Sequence, residues 1–222
     1  MPKQLTLSER LSDFAFVDRA AEALAGRDRT MARLVHECGP MRLKLERNRF
    51  RMLVKAILSQ QISMVAARSI RRRFEALVRP GTVTPARVRG LSVEDVRAAG
   101  LTRQKTRYVL EAAAAIDDRV VSLSGLSRMS DAEAAAELCR LVGVGRWTAE
   151  MVLMFSLGRV DLFPVGDLGV RNAIRGLYGV TAEGECEALA ETWRPYRSVA
   201  TWYLWRHADA TDVTDGLQEY PV

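Results

Sequence analysis

Asp167 is the carboxylate whose surroundings suggest chemistry. It follows a Phe163-Pro-Val-Gly166 loop and directly precedes Leu168-Gly-Val-Arg-Asn-Ala-Ile-Arg, a helical run that ends near Gly179. An Asp at that point is a favoured N-cap. A carboxylate fixed at a helix start can also stabilise a developing positive charge, or orient and deprotonate water. The two readings are compatible, and position alone favours the cap. A second group is Gly143-Val144-Gly145, which joins two helical patterns. Two glycines one residue apart allow positive φ and leave no Cβ in the way of a close partner. The first amides of the following helix lack internal acceptors and lie at the positive end of its dipole, which suits a phosphate and reads no base sequence. A tight helical hairpin that only packs fits the same residues. A third group is aromatic. Trp202 and Trp205 share a face of the last helical pattern, Tyr203 and Trp193 lie close in sequence, and Trp147 opens the helix after the glycine turn. Electron-rich rings favour flat or cationic partners through stacking and cation–π attraction, although core packing accounts for any single Trp.

Composition removes several alternatives. The 222-residue chain is 48% hydrophobic, enough to bury a core in one domain or two small lobes. It contains no 18-residue apolar run, so no transmembrane helix or membrane partner is expected, and Met1-Pro-Lys-Gln-Leu-Thr lacks the apolar region of a signal peptide. Cys38, Cys139 and Cys186 are scattered and odd in number, which disfavours zinc and disulfide frameworks and excludes a four-cysteine iron–sulfur cluster. His36 reads as a packing residue and His207 has no neighbour of its kind, so no catalytic metal is implied. A reducing cytoplasm is the expected compartment. The net charge is +6, and between positions 42 and 73 ten basic residues face one acid, Glu46, whereas the end of the chain carries Asp209, Asp212, Asp215 and Glu219. That asymmetry predicts one basic face for a polyanion and one face turned away.

The elements that must position these groups are nearly all helical. Helices are expected over Leu11–Leu24, Thr30–Cys38, Arg49–Leu58, Val65–Leu77, Ser92–Ala99 and Thr102–Ile116, with a short start at Thr84-Pro85. Ser130 and Glu133 have capping-box spacing, and Ala135, Leu138, Leu141 and Val142 supply the apolar face of the next helix. Arg146–Leu157, the run after Asp167, Ala182–Thr192 and Arg197–Ala208 complete a set of roughly ten helices, with 120–126 as loop. The fold class is therefore all-α. Gln60 and Gln61 interrupt two apolar helices and read either as a junction or as a tool. Arg103 and Lys105, near a helix start, suit either a phosphate or solvent.

Leu141-Val-Gly-Val-Gly-Arg-Trp-Thr-Ala149, followed 18 residues later by Asp167, resembles the helix-hairpin-helix DNA glycosylase superfamily. Within it the chain is most similar to the 3-methyladenine DNA glycosylase II branch. The similarity extends through Ile57-Leu-Ser-Gln-Gln-Ile-Ser63, Gly100-Leu-Thr-Arg-Gln-Lys105 and Trp193-Arg-Pro-Tyr-Arg-Ser-Val-Ala-Thr-Trp-Tyr-Leu-Trp205, thus from about residue 28 onward. Val142 replaces a usual Pro and Gly166 a common second acid. The larger members' N-terminal β domain is expected to be missing.

The resemblance implies two helical lobes with a cleft between them: residues 1–48 with 159–222, and 49–158 containing the helix-hairpin-helix at about 131–157. It implies Asp167 as the catalytic carboxylate and Trp205 as the base-stacking residue, with Trp147, Trp202 and Tyr203 around the base pocket. Gln61, with Gln60 beside it, would enter the minor groove and fill the place of an extruded nucleotide. Amides near Gly143, Gly145, Trp147 and Thr148, with Arg103 and Lys105, would hold the DNA backbone. A monovalent cation on the carbonyls of Cys139, Leu141 and Val144 is implied, and no catalytic cofactor. Strand-cutting relatives place at position 147 a Lys that forms a Schiff base; Trp147 implies a monofunctional enzyme. The expected partner is damaged double-stranded DNA, met by a monomer. The expected activity is hydrolytic excision of alkylated bases, 3-methyladenine first. Other lesions, such as deaminated or methylated cytosine or adenine, and a non-catalytic DNA-binding role are the alternatives.

Overall fold

The computed structural model describes residues 9–211. Twelve helices follow one another: α1 (Phe14–Ala25), α2 (Arg29–Cys38), α3 (Arg49–Ser59), α4 (Met64–Leu77), α5 (Pro85–Arg89), α6 (Val93–Ala98), α7 (Arg103–Asp117), α8 (Asp131–Cys139), α9 (Arg146–Phe155), α10 (Leu168–Tyr178), α11 (Glu183–Glu191) and α12 (Arg197–Thr211), with one 3-10 turn at Gly125–Arg128. No strand occurs among the described residues, and no helix among them is long and apolar enough to cross a membrane. Asp212, Asp215 and Glu219 lie outside the described residues.

The helices start where short polar side chains can accept the first free amides. Asp13, Asp28, Asn48, Ser63, Thr84, Ser92, Thr102, Ser130 and Asp167 all do so. Ser130 and Glu133 form the full capping box. Several boundaries differ from expectation: α1 starts at Phe14 behind the Asp13 cap rather than at Leu11, α9 ends at Phe155 rather than Leu157, and α12 runs to Thr211 rather than Ala208. The helix begun at Ser130 ends at Cys139, not at Val142, and Val142 is exposed in the turn. The chain tightens there, with the Leu141 and Val144 amides donating to carbonyls three residues back.

The chain divides into two compact units. Among the described residues, one combines 9–45 with 157–211; the other is Glu46–Ser156. Each is organised on a helix that is buried all round. In the first unit that helix is α12, whose residues 198–205 are all buried, with α10, α2 and α1 packed on it. In the second it is α9, buried from Thr148 to Phe155, with α3 and α8 against it and α4 and α7 against α3.

Candidate active site and nucleic-acid interface

In the first unit, the loop from 159 to 167 delivers Asp167 and is fastened to α12 before it does so. The Arg197 Nε and backbone amide donate to Asp161 Oδ1 at 2.9 and 3.3 Å, and Arg194 donates to Oδ2 at 2.7 Å. The Leu162 amide donates to Ser198 Oγ at 2.9 Å. Phe163 packs edge-on against Trp193, ring centroids 6.0 Å apart. Trp193 is fully buried, and its indole N–H donates to Asp28 Oδ2 at 3.0 Å. Trp193 is therefore a core residue that supports the loop.

Asp167 is the N-cap of α10 and only 8% exposed. Its Oδ1 accepts the Val170 amide at 2.9 Å and the Trp205 indole N–H at 3.1 Å. Cap and candidate catalytic carboxylate are thus one group, held from two helices. Gly169, to which the sequence pattern assigns no role, lies close against this pair. A Cβ there would stand 3.2 Å from Asp167 Oδ1 and 3.6 Å from Trp205 Cδ1. The available signal was a glycine in the first turn of a helix, where nothing in the local pattern calls for one. Leu168, beside the carboxylate, is 63% exposed.

The aromatic residues of α12 separate. Trp205 joins Asp167. Trp202 is buried, packs edge-on against Tyr203 at 4.9 Å, and carries the Arg206 guanidinium 5.8 Å from its ring centroid. Tyr203 is fully buried and its hydroxyl donates to the Gly39 carbonyl at 3.2 Å. Burial pushes its phenol up to about 12. The expectation of Tyr203 at the wall of a base pocket is not met, because the side chain lies in the core of its unit.

In the second unit, α8, the glycine turn and α9 form the hairpin. Gly143 has φ +79°, and a Cβ on it would collide with the Tyr108 ring of α7, so this position needs glycine twice over. Gly145 differs. Its φ is −96°, it is the N-cap of α9 without a side-chain cap, and a Cβ on it would meet nothing within 4 Å. It leaves open the approach to the first amides of α9, among them those of Trp147 and Thr148. Trp147 is half-buried and the Thr148 side chain is buried.

Gln61 is exposed at φ 56°, just past the end of α3. Gln60 instead turns inward, and its Nε2 donates to the Gly143 carbonyl and to Thr148 Oγ1, both at 2.9 Å. Arg103 is exposed. Lys105 departs from both readings offered for it. Its ammonium donates to the Leu58 and Gln60 carbonyls at 2.7 and 2.6 Å. Burial lowers its pKa.

No group of three or more His, Cys, Asp or Glu that could hold a metal occurs among the described residues. The Cys139, Leu141 and Val144 carbonyls, the expected cation ligands, are backbone oxygens, the donor type that a hard cation takes. The Leu141 oxygen already accepts the Val144 amide at 3.1 Å, and a carbonyl has a second lone pair for an ion.

A model of the HhH-GPD superfamily base excision DNA repair protein matches residues 54–198. DNA-3-methyladenine glycosylase 1 of Schizosaccharomyces pombe is 31% identical over 218 residues, spanning 95% of this chain and 96% of that protein. The structure of the S. pombe 3-methyladenine DNA glycosylase in complex with abasic DNA matches with a TM-score of 0.78 and 32% identity, covering 89% of this chain and 100% of the other. The crystal structure of DNA-3-methyladenine glycosidase from Bacillus halodurans matches with a TM-score of 0.74 and 30% identity, covering 87% and 90%.

Proposed function

The chain belongs to the HhH-GPD superfamily of base excision DNA repair proteins, and on that premise we propose that it is a monofunctional DNA glycosylase that excises alkylated bases, 3-methyladenine foremost. The observation that carries the reading is the Asp167 carboxylate, fixed by the Val170 amide and the Trp205 indole N–H. In N-glycosidic hydrolysis the bond from the sugar C1′ to the base breaks, and its electron pair leaves with the base. Positive charge builds on the sugar, and water supplies the oxygen that replaces the base. A rigid carboxylate stabilises that charge without reorganising, or accepts the proton of the attacking water.

A base inside a duplex is out of reach, so the nucleotide must be extruded. The first amides of α9, behind Gly145, and the exposed Arg103 suit the DNA backbone, and Gln61 suits the space the nucleotide leaves. Alkylation weakens pairing, and many alkylated bases carry positive charge, which makes them better leaving groups and better partners for an aromatic face. Trp205 serves that face and the carboxylate together. Trp147 stands half-buried at the start of α9. Trp in place of a Schiff-base Lys at position 147 supports hydrolysis without strand cutting. The hydrolysis needs the carboxylate, water and the substrate alone. A monovalent cation on the Cys139, Leu141 and Val144 carbonyls would neutralise phosphate charge at the hairpin. The enzyme acts as a monomer on damaged double-stranded DNA in the cytoplasm.

The test is release of free base from methylated duplex DNA, with products separated by chromatography and the strand followed on a denaturing gel. Wild type releases methylated purine and leaves the strand uncut. Asp167→Asn binds the same DNA and releases base about 10²–10⁴-fold more slowly. Equal release by both proteins moves catalysis elsewhere. DNA binding without release of any lesion base returns the non-catalytic alternative.

A further inference from the structure

The turn after α3 is held in a conformation that its own residues do not favour. Gln61 has φ 56°, left-handed backbone that non-glycine residues adopt only where the surroundings impose it. The imposing groups lie far away in the sequence. Lys105, in the first turn of α7, places its ammonium on the carbonyls of Leu58, in the last turn of α3, and of its C-cap Gln60. A cation there satisfies carbonyls that the helix leaves without amides and complements the negative end of its dipole. From the other side, both N–H bonds of the Gln60 side-chain amide are engaged, on Gly143 O and Thr148 Oγ1. One turn beyond Lys105 on α7, Tyr108 fills the space under Gly143. The Gln61 turn and the glycine hairpin are therefore tied directly through Gln60, and both rest on α7.

We propose that Gln60 and Lys105 are positioning residues, which touch no DNA and lock the Gln61 turn to the hairpin so that groove entry and backbone grip happen as one step. The inference rests on the reading of Gln61 as the residue that replaces the extruded nucleotide. It reassigns Lys105, which with Arg103 the family resemblance gives to phosphate. Two of the three ammonium protons already sit on carbonyls at short distance, which leaves at most one for a phosphate and holds the ammonium against the end of α3. A side chain that only positions another changes the geometry of a step and leaves the counterions displaced by DNA unchanged.

The experiment uses the full chain and a duplex that undergoes no chemistry. The duplex carries a tetrahydrofuran abasic analogue with 2-aminopurine opposite it, so that unstacking by an inserted side chain raises fluorescence. Binding is measured by anisotropy across about 50–200 mM salt. Lys105→Met and Gln60→Ala are expected to keep the wild-type salt slope and to lose about 10-fold in preference for the abasic duplex over undamaged duplex, together with most of the fluorescence rise. In the Gln61→Ala background neither substitution is expected to cost anything more, because both act through that residue. A salt slope reduced by about 1 in Lys105→Met shows a phosphate ligand and overturns the proposal. Losses that add to those of Gln61→Ala, or no loss at all, overturn it equally. Should thermal melting show that Lys105→Met does not fold, Gln60→Ala at its half-exposed site decides by the same readouts. A wild-type protein that releases no alkylated base sinks the glycosylase reading and leaves these binding measurements intact.

Discussion

Asp167 and Gln61 both stand at helix ends, one opening α10 and the other just past the last turn of α3, and they are held in different ways. Asp167 has extended backbone (φ −77°, ψ 121°) and a buried carboxylate bonded to its own helix and to Trp205. The functional side chain is itself the anchored group. Gln61 has a strained backbone and an exposed side chain. Its neighbours carry the anchoring, through Gln60 and Lys105. The difference suits the roles proposed for them: a carboxylate that stabilises charge would act by staying still, whereas a side chain that enters a groove would have to be presented from a fixed backbone.

The comparison can be broken at Gly143. Gly143→Ala forces a Cβ into the Tyr108 ring at positive φ, and is expected to cost about 2–4 kcal/mol of stability and to weaken DNA binding. An unchanged denaturant midpoint would show that α7 does not brace the hairpin. A smaller effect is expected at the carboxylate. Trp205→Phe keeps an aromatic face and removes the donor to Asp167, so base release should slow by about 10–100-fold, corresponding to about 1.5–3 kcal/mol for a hydrogen bond to a charged group. Wild-type turnover in this variant would limit Trp205 to stacking.

The smallest effect concerns the support beneath the loop. Burial alone would raise the Asp28 pKa, yet donors from Trp193, the Met31 amide, Tyr178 and the Thr30 amide together hold it below the ordinary 3.8. A carboxyl depressed in the folded state contributes stability above its unfolded value and loses it as pH falls through the folded one. Asp28→Asn keeps a capping side chain and loses the charge at a partly exposed site, so it should cost at most about 1 kcal/mol at neutral pH, with the gap to wild type closing below about pH 4. Melting curves at several pH values test this. A gap independent of pH would assign the loss to packing around Trp193.

Helix starts were legible in the sequence because a cap is made within three residues. Ser130 with Glu133, Thr102, Ser92 and Asp167 needed only their immediate neighbours. The glycine turn was legible for a similar reason, although only Gly143 uses positive φ, and Gly145 serves by leaving space. Val142 was misplaced on the apolar face of α8 because residue type and spacing do not show where a helix tightens into a turn. Tyr203 was misplaced because three aromatic residues on one short stretch look alike until packing shows what each one meets.

The sequence by itself determined that the fold is helical, where most of its helices begin, where the glycine turn falls and which carboxylate opens a helix, because these are contests among neighbouring groups along the chain. Only the tertiary structure decided what meets those groups. The Trp205 indole reaches Asp167 across 38 positions, and Lys105 reaches Leu58 across 47. Such bonds depend on how α12 lies on α10 and α7 on α3. Packing of the buried faces fixes that arrangement, and no local pattern of residues encodes it.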